Sequence, residues 1–208
     1  MLDHFNILHI AEYLKRLGLK ISHLNHKQKT IDLTFNGSHG QWRMVVGIHH
    51  SGNTSKLMLI APHISVISDL KRQECLEALL AVNYRIAIGK FGIDLEDGEV
   101  RLEESIPLAE ESISFDQFQL AFSALMQTVS IYQNLFAHII NEDLSPLEAI
   151  QVCENDFFTN SDYVPTFEIT KLTNDEQGES DQESESTSDL DVNDVMAEVS
   201  RLLGYTQE

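Results

Sequence analysis

Residues 84–108 read YRIAIGKFGIDLEDGEVRLEESIPL, and residues 114–140 read SFDQFQLAFSALMQTVSIYQNLFAHII. Together they describe a β-hairpin running into a long apolar helix, and that reading decides the fold. In the first stretch Asp97-Gly98 is a favoured two-residue loop, because a type I′ turn needs positive φ at both central positions. Closing the chain there sets a register: Glu96 faces Glu99, Leu95 faces Val100, Asp94 faces Arg101 and Ile93 faces Leu102. An ion pair falls on one face and aliphatic pairs on the other. Gly89 and Gly92, three apart, are expected at a bend or bulge. In the second stretch Phe115, Phe118, Phe122, Leu125, Val129, Tyr132, Phe136 and Ile139 recur at spacings of three and four, one apolar stripe down about seven helical turns. Ser114 and Gln117 form a capping box at its start, and no Gly or Pro interrupts it. At about 40 Å such a helix exceeds what a small core needs, so the stripe is expected to serve a core and a neighbour. Leu120, Ala121, Ala124 and Leu135 lie beside the stripe and could widen it.

Upstream, the pattern predicts a first helix from a cap at Asp3 to Leu17, with Ile7, Ile10, Leu14 and Leu17 on one face and Gly18 as the stop. Strand-like stretches follow at Leu19–Leu24, Thr30–Phe35, Trp42–His50 and Lys56–Pro62, separated by polar or Gly-containing turns, which is an antiparallel meander. A second helix is expected from Ser68 or Asp69 to about Asn83, with Leu70, Leu76, Leu79 and Leu80 available for burial. The fold class is therefore α+β, an antiparallel sheet flanked by helices.

Downstream, Ser145-Pro146-Leu147-Glu148 carries a capping serine, a proline at the first helical position and a glutamate three residues past the cap, predicting a short helix to about Asn155. Phe157, Phe158, Tyr163 and Phe167 then strap this segment onto the domain or form an exposed patch. From Thr173 to Asp191, TNDEQGESDQESESTSDLD holds eight acidic residues and no Lys or Arg. Such a segment is expected to be disordered, because it buries too little apolar surface to offset its ordering entropy. Val192, Val195, Met196, Val199, Leu202 and Leu203 then follow at helical spacing and end at Gly204. A helix of about 12 residues is marginal alone in water, so this one docks on its own domain or on a partner, and its six apolar residues are the candidate protein-binding set. The expected organisation is an α+β domain over 1–141, an extension with a short helix over 142–172, an acidic linker over 173–190 and an amphipathic terminal helix over 191–204.

The net charge of -19 is unevenly placed. Residues 1–110 hold 12 Lys and Arg against 13 Asp and Glu, whereas residues 111–208 hold 2 against 20. That balance argues against nucleic acid and anionic membrane as partners, since phosphate affinity comes from clustered Lys and Arg. The first twenty residues include Asp3, His4, Glu12, Lys15, Arg16 and Lys20 and no unbroken apolar core, and no later run nears the roughly 18 residues of a membrane span. A cytoplasmic protein is expected. Cys75 and Cys153 lie far apart without metal-ligand spacing and are read as buried thiols.

Eight of nine histidines fall early: His4, His9, His23, His26, His39, His49, His50 and His63. They raise a metal-dependent enzyme as one alternative, yet no HExxH or HxH spacing is present, and His49-His50 would point to opposite faces of a strand. There is no GxSxG elbow, no GxxxxGK[ST] and no GxGxxG. Neither metal nor cofactor is expected, and a non-enzymatic role leads.

The run Val82-Asn83-Tyr84-Arg85-Ile86-Ala87-Ile88-Gly89-Lys90-Phe91-Gly92-Ile93-Asp94, followed by Gly98-Glu99-Val100-Arg101-Leu102 and the apolar helix, resembles YbjN-domain proteins. These are a bacterial family similar in fold to type III secretion chaperones, and the likeness covers residues 1 to about 140. It implies a type III secretion chaperone-like order, α-βββ-α-ββ-α, with the C-terminal appendage outside it. It also implies a non-enzymatic, protein-binding role linked to sensory transduction, and homodimers. Two expectations follow for the tail: it contacts a protein partner, or it occupies the domain's own groove as a self-regulating element.

Overall fold

The computed structural model describes residues 5–37, 40–52, 54–108 and 112–159. Helix α1 (Ile7–Arg16) leads into strands β1 (His23–Asn25), β2 (Thr30–Gly37), β3 (Gly40–Ser51) and β4 (Thr54–Val66). Helix α2 (Arg72–Arg85) follows, then β5 (Lys90–Ile93), β6 (Glu99–Pro107), α3 (Phe115–Tyr132), α4 (Leu135–Asn141) and α5 (Pro146–Thr159). The fold is α+β: one six-stranded sheet, antiparallel throughout, in the order β1-β2-β3-β4-β6-β5.

Local chemistry explains most element ends. Asn6, not Asp3, caps α1: its Oδ1 accepts the Leu8 N–H at 2.8 Å while its own N–H donates to His9 Nδ1 at 3.0 Å. This is a capping box with histidine in the third helical position. Asp3 lies outside the described residues. Gly18 at φ 74 ends the helix, and Leu19 N–H closes back on Leu14 O at 2.9 Å. That bond keeps Leu19 within the helix exit, so the expected strand Leu19–Leu24 shrinks to three residues, paired from His23 opposite Asp32 to Asn25 opposite Thr30. The capping boxes at Ser114 and Gln117, and at Ser145 and Glu148, both form. The second opens a helix that runs to Thr159, four residues beyond the expected end.

The hairpin keeps its place but changes its register. Phe91 faces Leu102, Gly92 faces Arg101 and Ile93 faces Val100, a shift of two from the two-residue loop. Asp94 and Glu99 close a four-residue loop, Leu95–Gly98, with Asp94 N–H on Glu99 O at 2.8 Å and Gly98 N–H on Asp94 O at 2.9 Å. Two aspartates drive it: the Asp94 carboxylate accepts Glu96 N–H at 2.8 Å, and Asp97 accepts Glu99 N–H at 2.9 Å. Such local side-chain bonds compete with the tight turn. A two-residue shift preserves which side chains face inward, so Phe91 and Ile93 remain on the core side. The cost falls on the tip: Leu95 is 70% exposed, Glu96 does not face Glu99, and Arg101 pairs with Glu103 at 3.1 Å instead of Asp94.

The long apolar stretch is two helices. Its stripe is buried as expected from Phe118 to Ile139, but the helix breaks at Gln133–Asn134, where Asn134 sits at φ -95 and ψ -2. Breaking the helix lets Leu135, Phe136 and Ile139 stay buried, with α4 packed against α2 and α5. Ala121, Ala124 and Leu135 are buried and Leu120 is half-buried, so the expected spare width of the stripe is absorbed by the protomer itself. Gln127 is buried with both amide atoms unpartnered, a costly feature on α3.

Helix α2 also departs from expectation. It starts at Arg72 because Lys71 takes a left-handed conformation at φ 55. It buries Cys75, Ala78, Leu79 and Val82, while Leu70 and Leu80 are 64% and 71% exposed. Three of the four inward side chains are no larger than valine, which lets α2 approach its neighbours closely, and Leu80 falls on the outer side.

Candidate protein-interaction surface

Side chains alternate strictly across the sheet. The inner face carries Ile31, Leu33, Met44, Val46, Leu57, Leu59, Ala61, Val100 and Leu102, all buried against the helices. Helices α1, α2 and α3 pack on this side, over β2, β5, and β4 with β6 respectively. Among the described residues no side chain on the opposite face is buried. Antiparallel sheets tolerate water on one face, which is normally polar. Here its centre is apolar: Val45 and Ile60 lie directly opposite each other, and Met58 faces Gly47 in the next row. The rim is charged. Asp32 lies beside Val45 and is bonded by Arg43 at 3.0 and 2.5 Å. On the other flank Glu103 lies beside Ile60 and pairs with Arg101. A central apolar patch ringed by ion pairs has the anatomy of a protein-binding surface.

A sequence signal for this face existed. Met44-Val45-Val46-Gly47-Ile48 and Leu57-Met58-Leu59-Ile60-Ala61 are apolar at both parities, whereas a strand with a solvated face alternates. A second exposed apolar feature lies on α2, where Leu80 and Tyr84, one turn apart, are 71% and 93% exposed.

Asn83, at the core of the hairpin motif, seals one sheet edge. Its amide donates to Phe91 O at 2.9 Å and accepts Phe91 N–H at 2.7 Å, taking up backbone groups that edge strand β5 turns outward. Lys90 closes the end of α2 on Asn83 O and Ile86 O at 3.0 and 2.5 Å. Gly89 enters the strand at φ 79, with its N–H on Glu104 Oε2 at 2.6 Å, so Glu104 is a structural acceptor and not merely a solvated carboxylate.

Two polar clamps hold the helical layer that supports the sheet. Arg85 donates to both Glu154 oxygens at 2.8 and 3.0 Å, and the buried Tyr132 hydroxyl donates to Glu154 Oε1 at 2.8 Å, joining α2, α3 and α5. Lys71 donates to Ile139 O at 3.1 Å and to the Asp143 carboxylate. That ammonium holds the Asp143 carboxyl below its ordinary range. Cys75 and Cys153 are buried and free, and burial raises both thiols, Cys153 to about 12.

The histidines are dispersed. His9 caps α1, His23 lies opposite Asp32, His49 and His50 take alternate faces of β3, and His63, at φ 51 in the β4 irregularity, lies 3.2 Å from Glu99. Among the described residues no group of three or more His, Cys, Asp or Glu converges as a metal site. His4 and His39 lie outside the described residues, as do Tyr163, Phe167 and the candidate set Val192, Val195, Met196, Val199, Leu202 and Leu203. No described helix is long and apolar enough to cross a membrane.

The YbjN family model, described as "Putative bacterial sensory transduction regulator", matches residues 7–138. The chain belongs to the YbjN family. The matched span runs from the first residue of α1 into α4 and contains the whole sheet, so the open face and Asn83 lie within the YbjN region while Glu154 and α5 lie beyond it. Three solved chains are similar. One, in the HopA1-SchA chaperone-effector complex, is 16% identical with a TM-score of 0.43, covering 59% of this chain and 88% of that one. YbjN from E. coli is 14% identical with a TM-score of 0.45, covering 64% and 93%. A chain of the heterodimeric ExoU-SpcU complex from the type III secretion system of Pseudomonas aeruginosa is 19% identical with a TM-score of 0.39, covering 58% and 92%. No curated protein matches the chain.

Proposed function

We propose that this YbjN-family chain is a non-enzymatic cytoplasmic protein-binding module, a chaperone-like adaptor or regulator in sensory transduction, that seats a protein partner on its open sheet face. The observation that carries the reading is the face of the sheet that none of the described helices covers, with Val45, Met58 and Ile60 at its centre. The terminal helix, through Val192, Val195, Met196, Val199, Leu202 and Leu203, supplies a second contact to the same partner. The structures similar to this chain include chains from a chaperone-effector complex and a type III secretion heterodimer, which is in keeping with a protein partner.

The test is a crosslinking pull-down from source lysate with the full chain and the variants Met58→Glu and Ile60→Glu. A buried interface charge costs more than about 1.4 kcal/mol, so each variant is expected to lose the wild-type partners at least about tenfold while its denaturation midpoint stays unchanged. Undiminished capture by both variants would overturn the reading.

Homodimerisation is the second proposal, and α2 favours it. Leu80 and Tyr84 give an exposed pair at helical spacing, and an isologous contact needs one such patch on each copy. Sedimentation equilibrium at tens of micromolar is expected to give twice the 23.6 kDa chain mass, and Tyr84→Glu to return it to the monomer. A wild-type monomer would exclude the dimer.

A further inference from the structure

The sheet is electrically polarised along its strand order. From Tyr13 to Ser68 the chain carries seven Lys and Arg against one acidic residue, Asp32, which Arg43 already holds. From Asp69 to Glu110 the balance reverses, five against ten. The basic half builds the end of α1, the edge strand β1, the β1–β2 turn and the end of the β3–β4 hairpin. These parts are joined: Lys29 O accepts the Ile48 N–H at 3.1 Å. Lys15, Lys20, Lys27, Lys29 and Lys56 make no ion pair among the described residues. Lys29 Nζ lies 2.9 Å from His50 Nε2, and His50 Nδ1 lies 2.8 Å from Ser55 Oγ, so no carboxylate takes part in that contact. The nearest acids along the chain are Glu12, one helical turn before Lys15, and Asp32, which Arg43 holds. Two carboxylates do not neutralise five ammonium groups.

We propose that the acidic segment Thr173–Asp191 of the same chain docks along this basic β1 edge. The charges are complementary: eight carboxylates without a Lys or Arg meet five unpaired ammonium groups. Strand β1 itself reads His23-Leu24-Asn25, and the ammonium groups flank it, Lys20 before and Lys27 and Lys29 after. The reach is sufficient. Residues 160–172, between the end of α5 and the segment, span at most about 45 Å when extended, against roughly 40 Å for the diameter of a domain of this size. The inference stands apart from the partner reading, because it concerns only where the acidic segment sits.

Zero-length carbodiimide crosslinking of the full chain, prepared as an equal mixture of ¹⁴N and ¹⁵N protein, tests it. At low salt, crosslinks are expected from Lys15, Lys20, Lys27, Lys29 or Lys56 to acids within 173–191. They should arise within one isotopic species and fall at least about threefold near 0.5 M NaCl, where screening shortens to a few ångströms. Crosslinks spread equally onto Lys71 and Lys90, or absent from the basic edge, would overturn the proposal. So would mixed-isotope pairs as frequent as single-isotope ones, which place the segment on a second copy. A full chain with Lys20, Lys27 and Lys29 changed to Gln supplies the second measurement. Its amide spectrum over 173–191 is expected to differ from wild type, and identical spectra count against docking.

Discussion

Glu154→Ala is expected to destabilise the fold by about 3 kcal/mol, lowering the midpoint of thermal unfolding by roughly 6–12 °C for a chain of this size. Glu154 is 8% exposed, and its carboxylate receives two bonds from Arg85 and one from Tyr132. Removing it withdraws the carboxylate that accepts from a buried hydroxyl and from the Arg85 guanidinium. The Arg85 side chain is 38% exposed, so water recovers part of its hydration and holds the loss near the lower end of the range for buried pairs. Glu154→Gln keeps an acceptor for Tyr132 and is expected to fall between Ala and wild type. Urea titration of the three proteins checks this, and a loss below about 1 kcal/mol for Ala would mean that the clamp is not what fastens α5. Because α5 lies outside the matched YbjN span, the measurement also reports how far the folded unit extends past it.

Gly98→Ala carries the second large effect, about 3 kcal/mol or more. Gly98 sits at φ 77, where a side chain is strained, and a Cβ there would lie 2.2 Å from Ile67 O. That oxygen is backbone and has no flexible end to move aside. The same contact includes the 2.9 Å bond from Ile67 N–H to Gly98 O, which ties the hairpin tip to the buried Ile67 just after β4, so the substitution loosens both. Asp97→Ala, which removes one side-chain bond in the same loop, is expected to cost only about 1 kcal/mol. Comparing denaturation midpoints, and amide exchange at Ile67, separates the two. Equal effects of the two variants would refute a role for the close approach.

Much of the architecture was legible because it rests on neighbours in sequence. The capping boxes at Ser114 and Ser145, the stop at Gly18 and the β2–β4 meander follow from backbone groups that must be satisfied within a few residues. The hairpin register was not legible in full. Asp97-Gly98 is a strong turn signal, but Asp94 and Asp97 each hold a backbone N–H and open the loop to four residues, and Ile67, some thirty positions away, fixes Gly98. Leu80 misled for a related reason: helical spacing names a stripe without naming the side that meets a neighbour, and α2 turned its small residues inward.

The sequence by itself determined the α+β class, the order of elements, the parity of inward side chains and the steep division of charge along the chain. All of these depend on period, propensity and composition, which act locally. Only the tertiary structure decided where the long apolar stretch breaks, that the helices share one face of the sheet, and that Arg85 meets Glu154 across 69 positions. Those outcomes depend on how distant elements pack and on which of their surfaces compete for the same burial. Periodicity encodes neither.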